Sequence, residues 1–141
     1  VIDTLGFPLL MENWRGDLAF MPSCMGPIGA WFFEGLAGIR PDPTGAGFRH
    51  FIIAPGLNSG LRELDVSYEG PYGPIAVAWS TSNEQIQLTI KVPFNSTASL
   101  LLEGSGWRIV DGVENPAVKG PSGGIHLVSG AHRFTLMAAT A

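Results

Sequence analysis

Residues 85–93 read QIQLTIKVP. Ile86, Leu88, Ile90 and Val92 alternate with Gln85, Gln87, Thr89 and Lys91. An extended chain then carries its apolar side chains on one face and its polar ones on the other, as a strand between a core and water requires. Upstream, GPIAVAWST at 73–81 sets Ile75, Val77 and Trp79 against small Ala76 and Ala78. Before it, LRELDVSYE at 61–69 sets Leu64, Val66 and Tyr68 against Glu63, Asp65 and Ser67. FRHFIIAP, TASLLLEG, WRIVDG, GIHLVSG and HRFTLMA read as further strands, at 48–55, 97–104, 107–112, 124–130 and 132–138. Between them fall PGLNSG, EGPYGP, TSNE, PFNST, EGSG, KGPSGG and SGAH. Turn signals recurring about every 8–12 residues are the signature of an antiparallel sandwich or barrel. The expected fold is mainly β: an antiparallel β-sandwich of about eight strands, preceded by a short α-helical segment.

That helical segment occupies the first 39 residues. DTLGFPLLMENW, with Leu5, Leu9, Leu10 and Trp14, suits a short helix interrupted near Pro8. A second helix is expected from Met25 to Ala37, with Pro27 in its first turn and Gly38 as a left-handed cap. It is apolar almost all round, with Glu34 its only charge. Such a helix is normally buried on every side, so it reads as one taken from a larger helical assembly. Its apolar surface is expected to drive self-association of the chain. GLAGIRPDPTGAGFRHF at 35–51 is the seam. The expected organisation is a helical remnant at 1–39, a Pro/Gly linker at 40–47 and an autonomous sandwich at 48–141.

Composition narrows the function. The chain has 141 residues, 45% hydrophobic and 14% charged, with a net charge of −4. No Lys/Arg cluster exists to meet a nucleic acid, and no apolar run reaches the roughly 20 residues that span a bilayer. Neither nucleic acid nor membrane is an expected partner. The start at Val1, without a signal-peptide pattern, reads as that of a processed or truncated product, leaving cytoplasm and periplasm both open. Cys24 has no cysteine to pair with. His50, His126 and His132 fall on separate strands without ligand spacing, so no metal site and no cofactor is expected. GSG and GPSGG read as hairpin turns because no helix follows them, and Asn95-Ser96-Thr97 reads as a strand-entry turn.

Three motifs carry a resemblance. AWFFEGLAGIRPDPTGAGFRHFIIAP, SYEGPYGPIAVAW and VPFNSTASLLLEG are similar, in order and spacing, to the C-terminal region of bacterial α-L-rhamnosidases, a family of glycoside hydrolases. The resemblance implies that residues 1–39 are the end of an (α/α)6 catalytic barrel and that the rest is the sandwich that follows it. It implies a rhamnose-containing glycoside as substrate, met through the parent barrel. It also implies Glu12, in LMENW, as the general base, with Trp14 beside it at the sugar. Met11 stands where the family has an aromatic residue, and no Asn-His pair precedes the second helix.

Inverting glycosidases need two carboxyl groups about 6.5–9.5 Å apart, one to protonate the leaving oxygen and one to activate water. The family's acid lies upstream of this chain, so the expected function is structural, the sandwich bracing the barrel and the chain inactive alone. An independent carbohydrate-binding sandwich is the alternative. On the residues alone, Glu12 is equally a solvated helix charge, and Trp14, Trp31 and Trp79 read as core before sugar platforms. Tyr72 and Trp107 remain the aromatics able to meet a ligand. Arg40 and Asp42, in IRPDP, are expected to form an interdomain clamp: two prolines fix the crossing backbone, and a guanidinium suits the negative end of a helix.

Overall fold

The computed structural model describes residues 26–102, 104–112 and 124–138. The chain divides into two compact units, 1–31 and 32–141. In the first, the described part is α1, Gly26–Trp31. Glu12, Trp14 and Cys24 lie outside the described residues.

The second unit opens with a π-helical turn, Phe32–Ala37. The single α-helix expected over 25–37 therefore changes its winding at Phe32. Gly38 ends the turn at φ +73°, where a Cβ would lie 2.1 Å from the carbonyl carbon and oxygen of Ala54. Only glycine fits a left-handed residue pressed against backbone. The 54–56 loop satisfies the turn's open end: Gly56 N donates to Leu36 O at 2.9 Å, and Ala54 N donates to Gly38 O at 3.0 Å.

Nine strands follow among the described residues: β1 Ile39–Pro41, β2 His50–Ile53, β3 Glu63–Gly70, β4 Gly73–Ser82, β5 Gln85–Val92, β6 Thr97–Leu100, β7 Trp107–Asp111, β8 Ile125–Leu127 and β9 Gly130–Ala138. They form a four-stranded sheet, β1-β2-β6-β8, and a five-stranded sheet, β3-β4-β5-β9-β7. Pairing is antiparallel except between β2 and β6. That parallel pair is possible because residues 54–96 make a long excursion through the other sheet. β1 lies in the stretch read as helix end and linker; its three residues pair with Phe51–Ile53. Pro41 lacks an N–H and is tolerated because β1 is an edge strand.

One hydrophobic cluster joins the two sheets. Ile39, Phe51, Ile53, Ala98, Leu100 and Leu127 come from the smaller sheet. Ile75, Val77, Trp79, Ile86, Leu88, Ile90, Val92, Phe134 and Leu136 come from the larger. The burial of β5 follows the alternation of its sequence residue by residue. The hairpins are tight: Gly70 pairs with Gly73 around Pro71 and Tyr72, and Ser82 pairs with Gln85 around Asn83 and Glu84. Asn95 turns at φ +61° before β6, with Ser96 N donating to Pro93 O. An aromatic chain closes one edge of the core, Phe33 on Tyr68 at 5.8 Å, Tyr68 on Phe48 at 5.1 Å and Phe48 on Phe51 at 6.1 Å.

Candidate functional site

Among the described residues, a close group of polar side chains lies on the outer face of the four-stranded sheet. Phe51 and Ile53 on β2, and Ala98 and Leu100 on β6, point to the core. Alternation therefore turns His50, Thr97 and Ser99 to the other side. In register, His50 stands opposite Thr97, and Ser99 opposite His126. The PDPTG segment folds over them: Gly45 N donates to Asp42 O, closing a tight turn. Asp42 Oδ1 accepts from Thr44 N at 2.7 Å and from Thr44 Oγ1 at 2.6 Å. These bonds hold the Asp42 carboxyl below the usual carboxylate range, with His50 adding to the effect.

The imidazole of His50 is engaged at both nitrogens. Nδ1 meets Thr97 Oγ1 at 2.7 Å, and Nε2 meets Ser99 Oγ at 3.0 Å. Asp42 Oδ2 lies 3.8 Å from the same Nε2. Burial pushes the His50 pKa down, Asp42 opposes it, and His126, stacked at 6.2 Å, adds to the lowering. Asp, His and Ser are thus together, yet they do not form a nucleophilic triad. Such a triad places the carboxylate on one ring nitrogen and the hydroxyl on the other. Here both approach Nε2, and Ser99 is 0% exposed. The cluster is a buried polar plug that fixes the PDPTG turn to the sheet.

Arg40 and Asp42 make separate contacts. Arg40 Nε donates to Glu34 O at 3.0 Å, in the last turn of the helical segment, where a cation favourably meets exposed carbonyls. Asp42 is turned toward Thr44 and His50. His132 lies apart from the other two histidines, bonded to Val128 O at 2.7 Å. Among the described residues no group of three or more His, Cys, Asp or Glu is placed to hold a metal ion.

Of the aromatic residues, Trp79 is core and Tyr72 is exposed. Trp107 is tied down, its Nε1 donating to Asn58 Oδ1 at 2.9 Å while Asn58 Nδ2 donates to Ser105 O at 2.6 Å. The outer face of the five-stranded sheet carries a groove of about 650 Å³ between Glu63 and Asp65 on β3 and Gln87 and Thr89 on β5, floored by Ala78 and Ser80 on β4. Neither the His50 cluster nor this groove was expected from the sequence. The signal for the groove was present, since its residues are the outward positions of three adjacent strands. The cluster needs the pairing of β2 with β6, which no local pattern announces.

Residues 38–115, which carry Asp42, His50, Thr97 and Ser99, match the family model of the bacterial alpha-L-rhamnosidase C-terminal domain. The chain belongs to that family. An alpha-L-rhamnosidase of Formosa agariphila is 38% identical over 73 residues, covering 52% of this chain and 8% of the relative. One from an Alteromonas species is 36% identical over 76 residues, covering 54% and 8%. The crystal structure of the Streptomyces avermitilis alpha-L-rhamnosidase complexed with L-rhamnose superimposes with a TM-score of 0.59 at 25% identity, covering 78% of this chain and 11% of that one. The alpha-L-rhamnosidase C-terminal sandwich is thus the common element, and the chain spans about a twelfth of the length of these two curated relatives.

Proposed function

We propose that the chain is the C-terminal portion of an α-L-rhamnosidase-like glycosidase, its sandwich bracing a catalytic barrel and the chain being inactive alone. The family match over residues 38–115, the stretch that builds most of both sheets, carries this reading. The barrel would meet a rhamnose-containing glycoside, with Glu12 as general base and Trp14 at the sugar. Arg40 and Asp42 would hold the junction, one on the helical turn and the other on the sheet. Asp42 itself, 3% exposed and engaged by Thr44, is poorly suited to acid–base work on a glycosidic bond, which needs a carboxyl group within reach of substrate.

Two measurements test the proposal. The purified chain should not hydrolyse an aryl α-L-rhamnoside; turnover abolished by Glu12→Gln would overturn the inactivity. Removing the corresponding sandwich from the Streptomyces avermitilis enzyme should lower its thermal inactivation midpoint, and grafting residues 38–138 in its place should restore it. An unchanged midpoint after removal would overturn the bracing.

A further inference from the structure

We propose that Tyr72 and Phe94, together at one end of the sandwich, are the surface that seats the part of the catalytic barrel lying upstream of Val1. The inference rests on the bracing role proposed above and names the surface that performs it. Four connections meet at this end: 42–49, 71–72, 93–96 and 128–129. The strand register draws three of them together. Gly70 pairs with Gly73, Val92 pairs with Gly130, and a Cβ on Gly73 would lie 3.6 Å from Pro93 Cβ. The β3–β4 hairpin therefore leans on the Pro93 turn, with Tyr72 and Phe94 each one residue from the contact. Phe94 is 77% exposed, Val128 56% and Tyr72 40%. Pro71 and Pro93 precede the two aromatic residues and restrict the backbone that presents them. Large apolar side chains on a stiff base, with no charge in 71–73 or 93–95, mark a surface built for contact.

Two observations select the barrel as the occupant. The first is where the preceding chain arrives. Phe33, early in the π-helical turn, packs on Tyr68 at 5.8 Å, two residues before Gly70. Leu36, late in the turn, accepts from Gly56 N, past the opposite end of β2. The polypeptide before Phe33 thus enters on the side of Tyr72 and Phe94. The second is area. The three side chains expose on the order of 300 Å², since a whole aromatic side chain buries about 150–250 Å². Two copies meeting there would bury about twice that, short of the roughly 1,200 Å² of a stable complex. A domain on the same polypeptide needs less, because the covalent link holds it at high effective concentration.

The test uses the graft of residues 38–138 onto the Streptomyces avermitilis enzyme. Tyr72→Ser combined with Phe94→Ser should lose most of the recovered thermal inactivation midpoint, because a few buried anchors carry an interface. Leu61→Ser, at the opposite end and 44% exposed, should keep it. Hydroxyl-radical labelling of Tyr72 and Phe94 should fall several-fold from the free 141-residue chain to the graft, a readout that needs no substitution. Recovery that survives the double substitution, an equal loss with Leu61→Ser, or labelling equal in graft and free chain would each overturn this surface and leave the bracing intact. Sedimentation of the free chain that changes with the double substitution would assign the patch to a second copy and overturn it as well. An unchanged midpoint on removing the sandwich is the separate result that sinks the bracing, and this surface with it.

Discussion

The carboxylate of Asp42 and the imidazole of His50 meet at Nε2, 3.8 Å apart, on the nitrogen that also contacts Ser99. The arrangement ties an edge turn to a sheet and makes the tie dependent on pH. His50 has its folded-state pKa lowered, so the folded chain binds protons less readily than the unfolded one. Stability is then complete above the ordinary histidine value of about 6.5 and falls as pH drops from there toward the depressed value. Asp42, also lowered, adds stability that persists until pH falls through the usual carboxylate range of about 4 and on through its folded value. The urea midpoint should decline between about pH 7.5 and pH 5.5, and His50→Gln should flatten that decline. An identical slope in the variant would show that His50 does not carry it.

Gly38 and Gly47 share positive φ angles, +73° and +65°, yet a methyl group would meet very different surroundings. At Gly38 it would overlap the Ala54 carbonyl, whereas at Gly47 nothing lies within 4 Å. Gly47→Ala should cost only the left-handed penalty, about 1–2 kcal/mol. Gly38→Ala adds displacement of the backbone that caps the helical turn and should exceed about 3 kcal/mol. Chemical denaturation of the two variants measures the difference, and equal losses would contradict the close approach.

In α1, Ile28 is 63% exposed and Trp31 56% exposed. Apolar side chains so exposed favour burial against a second copy of the chain, and we expect association that rises with concentration. Sedimentation velocity of the chain beside an Ile28→Ser, Trp31→Ser variant tests this. Association that persists unchanged in the variant, or a wild-type chain that stays monomeric at high concentration, would count against it.

The larger sheet was legible because its strands alternate strictly. Ile75, Val77, Trp79, Ile86, Leu88 and Ile90 are all core, and the turn residues between strands mark the hairpins. β1 was not, since three residues containing a proline carry no period to read. The His50 cluster was hidden for a different reason. His50 and Ser99 are 49 positions apart, and alternation alone would place both toward water. Burial on the outer face requires the PDPTG turn to fold back, a tertiary event. Motif resemblance anticipated the family because it spans the seam and two strand pairs together, whereas no single strand would have sufficed.

The β4–β5 hairpin contains a correctable strain. Its two central residues, Asn83 and Glu84, have φ of +50° and +62°, as a type I′ turn requires to match the twist of its strands. Asn tolerates this region through its short polar side chain, but Glu gains no such compensation. Both residues are exposed, so replacing Glu84 removes no packing. Glycine adopts positive φ without the Cβ clash, offset in part by the entropy it loses on folding. Glu84→Gly should therefore stabilise the chain by about 0.5–1 kcal/mol, raising Tm by about 2–4 °C. Glu84→Ala separates conformation from charge: it keeps the Cβ while removing the carboxylate, and should leave Tm near its original value. If alanine stabilised as much as glycine, the strain would not lie in the backbone.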